Sequence, residues 1–135
     1  MNSHLTTYKR SRHAVYSCKY HIIFCPKYRK AILVNGIEAR LEEILKSTTL
    51  ELGCDLLEFE IMPDHVHILV DIPPDLGVKS YISRIKGKSA RLLRQEFPSL
   101  KSRLPCLWTN SYFVSTIGGV TLEVVKQYIE NQKNV

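Results

Sequence analysis

Two pairs of side chains have types and spacings suited to chemistry. His65 and His67 flank a valine in Met62-Pro63-Asp64-His65-Val66-His67, and Tyr128 and Gln132 stand four residues apart near the far end of the chain. Residues two apart in a strand project from one face, so the two imidazoles stand side by side and can share a divalent ion, which adjacent histidines could not. Residues four apart on a helix share a face, so a phenol and an amide oxygen arrive together. A tyrosine oxygen can act as a covalent nucleophile, but a reference pKa of about 10 keeps it protonated at neutral pH. A metal held by His65, His67 and Gln132 would polarise a phosphodiester for attack by Tyr128. The same residues also have ordinary readings, as hydrogen-bonded surface histidines and as a half-buried helix tyrosine.

The elements that must position these groups are visible as periodicities. Ala14 to Phe24 alternates, with Tyr16, Cys18, Tyr20, Ile22 and Phe24 on one face and Val15, Ser17, Lys19, His21 and Ile23 on the other, which predicts a strand with one buried face. Ile37, Leu41, Ile44, Leu45 and Leu52 recur at helical spacing, and Gly53 marks the stop. Asp55 to Met62 alternates again, with Leu57, Phe59 and Ile61 opposite Glu58 and Glu60, and Pro63-Asp64 turns the chain into a strand over His65 to Ile72. Val78 to Phe97 is an amphipathic helix with Val78, Ile82, Ile85, Ser89, Leu92 and Leu93 on its apolar stripe. Leu107 to Ser115 reads as a strand, and Thr121 to Gln132 as a last helix with Leu122, Val125 and Ile129 apolar. The order βαββαβ plus a terminal helix predicts an α+β fold, ferredoxin-like (RRM-like), with one sheet covered on one face by two helices and a C-terminal helix carrying the tyrosine. A length of 135 residues suits one domain over 1–135.

With 19 Lys and Arg against 13 Asp and Glu, the charge balance points to a polyanionic partner. The cations concentrate on the polar half of the second helix, at Lys79, Arg84, Lys86, Lys88, Arg91 and Arg94, with Glu96 as that segment's acid. Contact with a DNA backbone and an ordinary charged surface are the two readings of that face. Lys27, Arg29 and Lys30 add phosphate contacts in the first reading, and Tyr28 a ring for stacking on an unpaired base. His21, on the same side of its strand as Lys19, reads as a surface histidine, with an approach to the metal site as the alternative, while Trp108 and Phe113 read as core or dimer packing, with base stacking as the minority view. Cys18, Cys25, Cys54 and Cys106 show no Cys-x-x-Cys spacing and are expected to be buried free thiols. The absence of a signal-peptide pattern and of any apolar run of spanning length leads to the expectation of a soluble, cytoplasmic protein with no membrane association.

Taken together these residues resemble a known family, the single-tyrosine HUH transposases of the smallest bacterial insertion sequences. The resemblance rests on the run Tyr20 to Lys30, on Met62 to His67, on Lys86-Gly87-Lys88-Ser89 in the basic helix, and on Tyr128-x-x-x-Gln132. It implies cutting and rejoining of single-stranded DNA next to terminal hairpins, through a covalent 5′-phosphotyrosine link, in a bacterial or archaeal cell. It further implies Tyr128 as nucleophile, His65, His67 and Gln132 as ligands of Mg²⁺ or Mn²⁺, and no nucleotide cofactor, since transfer to tyrosine conserves the phosphodiester. The family works as a homodimer in which each terminal helix can serve the partner's metal site, and Gly118-Gly119 offers a hinge for that exchange or a simple turn.

Two other activities compete. A nicking enzyme of repeated palindromes or replication origins uses the same tyrosine and metal chemistry, usually on a longer chain. A non-catalytic single-strand nucleic-acid-binding module of the same fold class would read bases with aromatics on its sheet, where this chain carries histidines and acids.

Overall fold

The computed structural model describes residues 8–10, 14–116 and 122–135. The elements run β1 (Lys9–Arg10), β2 (Val15–Tyr16), β3 (Lys19–Phe24), α1 (Ile37–Glu51), β4 (Asp55–Met62), β5 (His65–Asp71), α2 (Val78–Glu96), α3 (Ser99–Arg103), β6 (Phe113–Thr116) and α4 (Leu122–Glu130). The main sheet has the order β4-β5-β3-β6, and every pairing in it is antiparallel. With β1 and β2 set apart as a small ladder of their own, this is the expected βαββαβ arrangement with a terminal helix. The proposed hinge at Gly118-Gly119 lies outside the described residues.

Alternation in the central strands decides what the two faces of the sheet hold. Ile22 and Phe24 of β3, with Val66, Ile68 and Val70 of β5, point to one side and are completely or almost completely buried. Leu41, Ile44 and Leu45 of α1 and Tyr81, Ile82, Ile85 and Leu93 of α2 close over them in one apolar cluster. Burying side chains of this size stabilises by roughly 1.5–3 kcal/mol each. Two hydroxyls enter this layer without leaving polar atoms unpaired: Tyr81 shares a 2.8 Å hydrogen bond with Thr49, and Ser89 accepts one of 2.9 Å from the Trp108 indole. Trp108 is therefore core, edge-on to Phe24.

The helix stop expected at Gly53 is a Schellman motif. Gly53 takes φ +72°, its N–H donates to Leu50 O, and Cys54 N–H donates to Thr49 O.

Five expectations are corrected. The first strand does not run unbroken from Ala14 to Phe24, because the Cys18 N–H leaves the ladder to bond Asp71 Oδ1 at 2.9 Å, and Val15–Tyr16 pairs with Lys9–Arg10 instead. Nor is only one face of β3 buried, since Ile23 and Lys19 on the other side are covered as well. In β4 a bulge between Leu56 and Glu58 adds one residue, so Leu56 rather than Leu57 packs with Phe59 and Ile61 on the core. The strand expected from Leu107 divides: Trp108 forms a lone bridge with Pro26, residues 109–111 turn, and pairing resumes only at Phe113. Of the four thiols expected to be buried, Cys25 and Cys54 are, while Cys18 and Cys106 are partly exposed.

Candidate active site

The face of the sheet opposite the apolar cluster carries the histidines. His67 of β5 pairs directly with Ile23 of β3, and Ile23 in turn with Phe113 of β6. Directly opposed residues of an antiparallel sheet share a face, so His67, Ile23 and Phe113 form one row across three strands. At about 4.8 Å per strand the row spans roughly 10 Å. The Tyr128 ring of α4 lies on Phe113, with ring centres 5.7 Å apart. Tyr128 therefore stands on the histidine face, over the β6 end of the row.

Local bonds hold each half of this arrangement. Ser111, in the turn before β6, donates to Gln132 Oε1 at 3.0 Å and stands 3.5 Å from Tyr128 Oη. The backbone of that turn is held by Lys86, whose ammonium donates to Thr109 O at 2.5 Å and Ser111 O at 3.1 Å. Gln132 is buried. Burial raises the Tyr128 pKa above its ordinary value, with Ser111 opposing this in part, so the phenol keeps its proton at neutral pH.

On the other half, Asp64 Oδ1 stands 2.9 Å from His65 Nδ1, which leaves Nε2 of that ring for other partners. His21 Nδ1 lies 3.1 Å from His67 Nε2, and the two rings stack at 5.3 Å. Burial lowers the pKa of both His21 and His67, so both are neutral at pH 7. His21 is thus a partner of the histidine pair and not a free surface histidine.

Arg29 bridges the halves. Its Nε lies 3.2 Å from Asp64 Oδ2, and its Nη1 donates to Ile129 O at 3.4 Å and Glu130 Oε2 at 3.3 Å in α4. Tyr28 N–H donates to Val135 O at 2.7 Å. Tyr28 and Arg29 both take left-handed backbone angles, φ +60° and +51°, a conformation that costs a residue with a Cβ about 1 kcal/mol or more.

Among the described residues no three His, Cys, Asp or Glu side chains are grouped so that they could hold a metal ion. A metal set built on His65 and His67 therefore needs a donor of another kind, and an amide oxygen is one. Gln132 Oε1 accepts a single hydrogen bond, from Ser111, which leaves it a lone pair. A carboxylate on the far nitrogen of His65 is the second partner usual for a ligating histidine. Ligation through His67 Nε2 would require its contact with His21 to open. The residues present fit a divalent ion on these terms.

The cations expected to meet nucleic acid fall into two groups. Lys79, Arg84 and Arg91 are exposed on α2 and Lys30 beyond β3, and Arg94 is part-buried. Tyr28 is 43 % exposed with the Lys27 ammonium over its ring. Arg29 and Lys86 have the internal partners described above, and Lys88 pairs with Glu51 of α1 at 3.1 Å. Lys79, Lys86 and Arg94, with Tyr112 and Asn110, line a groove of about 340 Å³ between α2 and the 107–112 segment. Asp64, Ser111 and the bridging use of Arg29 were missed by sequence reasoning. Asp64 had a signal, its place beside His65, but it was spent on the turn; Ser111 had none.

A sequence model of the IS200-like transposase family matches residues 14–132. The ISDra2 transposase TnpA of Deinococcus radiodurans is 36 % identical over 126 residues, spanning 92 % of this chain and 90 % of that protein. This chain belongs to the IS200-like transposase family. Membership implies DNA strand cleavage and transfer. The transposase of insertion sequence IS200 from Salmonella typhimurium is 34 % identical, over 92 % of this chain and 82 % of its own. Among solved structures, a candidate transposase from Deinococcus radiodurans superposes with a TM-score of 0.85 at 37 % identity, over 94 % of this chain and 99 % of that one. A tyrosine transposase bound to a REP hairpin shares the fold, with a TM-score of 0.57 at 12 % identity over 92 % of this chain and 69 % of that one. Among the described residues no helix of this IS200-like transposase is long and apolar enough to cross a membrane.

Proposed function

We propose that this transposase recognises hairpins in single-stranded DNA at the ends of an insertion sequence, and cuts and rejoins the strand through a 5′-phosphotyrosine link on Tyr128. The observation that carries the reading is the shared face: the Tyr128 ring rests on Phe113, in the same cross-strand row as His67. The hairpin-bound relative supports the choice of DNA structure by analogy of fold.

In the reaction, Tyr128 Oη bonds to phosphorus while the bond from phosphorus to the 3′ oxygen breaks. The phenol proton leaves Oη, and the released 3′ oxygen takes up a proton. Because burial holds the phenol protonated, attack needs a phosphate made more electrophilic. His65, His67 and Gln132 would hold Mg²⁺ or Mn²⁺, which supplies that Lewis acidity when bound. Ser111 keeps Tyr128 and Gln132 in one neighbourhood, and Asp64 keeps the free nitrogen of His65 available. Rejoining reverses the exchange with a 3′ hydroxyl as nucleophile, so no nucleotide cofactor is consumed.

Backbone contact falls to Lys79, Arg84, Arg91 and Arg94 of α2, and to Lys27, Tyr28 and Lys30, where cations release counterions and an exposed ring stacks. The protein works in the cytoplasm as one domain over 1–135, in a homodimer whose α4 helices can serve either site.

Incubation with hairpin-bearing single-stranded DNA and Mn²⁺ should give a protein–DNA adduct that survives denaturing electrophoresis and is absent in Tyr128→Phe. An adduct persisting in Tyr128→Phe would refute the nucleophile, and no adduct with any divalent ion would refute the enzyme.

A further inference from the structure

We propose that Arg29 is a positioning residue: one guanidinium clasps the end of α4 to the turn that enters the histidine strand, so that seating of the tyrosine helix and orientation of His65 are set together. The proposal rests on the reading of Tyr128 as nucleophile and His65 as metal ligand. Three observations lead to it.

The first is the geometry of the bonds. Asp64 divides its two oxygens, Oδ1 to His65 at 2.9 Å and Oδ2 to Arg29 at 3.2 Å. Arg29 turns its Nη1 to Ile129 O and Glu130 Oε2 at the end of α4. A planar guanidinium holds a fixed fork of donors, so moving α4 pulls on the group that orients His65. Ile129 O is also one of the last carbonyls of its helix, where the helix dipole is negative and a cation is favoured.

The second is exposure. The Arg29 side chain is 20 % and Asp64 29 % exposed, so this pair is screened less than a surface pair, while Glu130 at 62 % contributes less.

The third is backbone strain. Two successive residues with Cβ atoms stay left-handed at Tyr28 and Arg29, a state that persists only where its surroundings hold it. Those surroundings include the tail, through Tyr28 N–H to Val135 O at 2.7 Å, and the turn, through Arg29 N–H to Pro26 O at 2.8 Å. The strained turn and the docked tail therefore hold each other. With Nε and Nη1 engaged internally, Arg29 differs from the exposed cations that face solvent ready for a phosphate.

The test combines hydrogen exchange with metal binding, so that it reads out without turnover. In Arg29→Ala, amides of Leu122–Glu130 should exchange at least ten-fold faster. Mn²⁺ affinity, measured by electron paramagnetic resonance on the Tyr128→Phe background, should fall about ten-fold, the usual effect of losing a ligand's supporting partner. Hairpin affinity should stay within two-fold, and in otherwise wild-type protein kcat should drop at least ten-fold at near-constant KM. Arg29→Lys should recover part of each effect. Hairpin affinity lost with α4 exchange unchanged would make Arg29 a phosphate contact and overturn the clasp. Faster exchange with Mn²⁺ affinity intact would overturn the link to His65. Should Arg29→Ala fail to fold, Arg29→Gln, which keeps much of the side chain and removes the guanidinium fork, carries the same exchange and Mn²⁺ measurements, with unchanged values overturning the clasp. A wild-type protein that forms no adduct would remove the proposed function while leaving the exchange result to decide the clasp.

Discussion

Within β5 the side chains alternate between two environments. Val66, Ile68 and Val70 are buried against α1 and α2, while His65 and His67, one residue out of phase, meet Asp64 and His21 on the opposite side. The first environment is dry and made of interchangeable contacts, so its energy is spread over many groups. The second is a short chain of directional polar contacts, in which one lost group unbinds its neighbours. The difference teaches that a single strand can serve stability and chemistry at once, with alternation separating the two.

The sharpest way to break the comparison is a charge on the dry side. Val66→Asp buries an uncompensated carboxylate, and the expected loss of more than about 4 kcal/mol removes a large part of the roughly 5–15 kcal/mol by which domains are usually stable. Urea denaturation should find the variant unfolded or nearly so. A smaller effect on folding follows from the other side of the strand, where His67→Ala should cost about 1 kcal/mol through its lost bond to His21. The same variant should lower adduct formation with hairpin DNA by at least ten-fold. Equal stability losses for the two variants would erase the distinction between the faces.

A weaker probe of the dry side is Trp108→Phe. It keeps the edge contact with Phe24 but leaves Ser89 without its indole donor, for an expected cost of about 1–2 kcal/mol at unchanged adduct yield. The smallest effect concerns the thiols. Burial pushes Cys25 up to about 12 and Cys54 up to about 11, so both are almost wholly protonated at pH 8. Iodoacetamide labelling followed by peptide mass spectrometry should modify Cys18 and Cys106 first; early labelling of Cys25 would show that the layer beneath β3 opens.

Much of the fold was legible because its signals are local. The spacing of Leu41, Ile44 and Leu45 identifies a helix, the alternation of Val66, Ile68 and Val70 a strand, and Gly53 a helix end. The errors came where a side chain or an extra residue interrupted a period. Asp71 took the Cys18 N–H out of the first ladder, and the bulge at Leu57 shifted the phase of β4. Neither event leaves a trace in hydrophobic pattern, because both depend on residues supplied by another strand.

For the site, the chain itself determined that His65 and His67 share a face, since this follows from the repeat of a strand; the helical spacing expected for Tyr128 and Gln132 does not hold, because α4 ends at Glu130 and Gln132 lies in the turn beyond it. Only the tertiary structure decided that Tyr128 stands on the same side of the sheet as the histidines. The antiparallel register sets Phe113 in the row of His67, Ser111 gathers Tyr128 and Gln132, and Arg29 reaches a glutamate 101 residues away. Such contacts arise from how packed elements lie against one another across long loops. Periodicity measures only which way a side chain points within its own element.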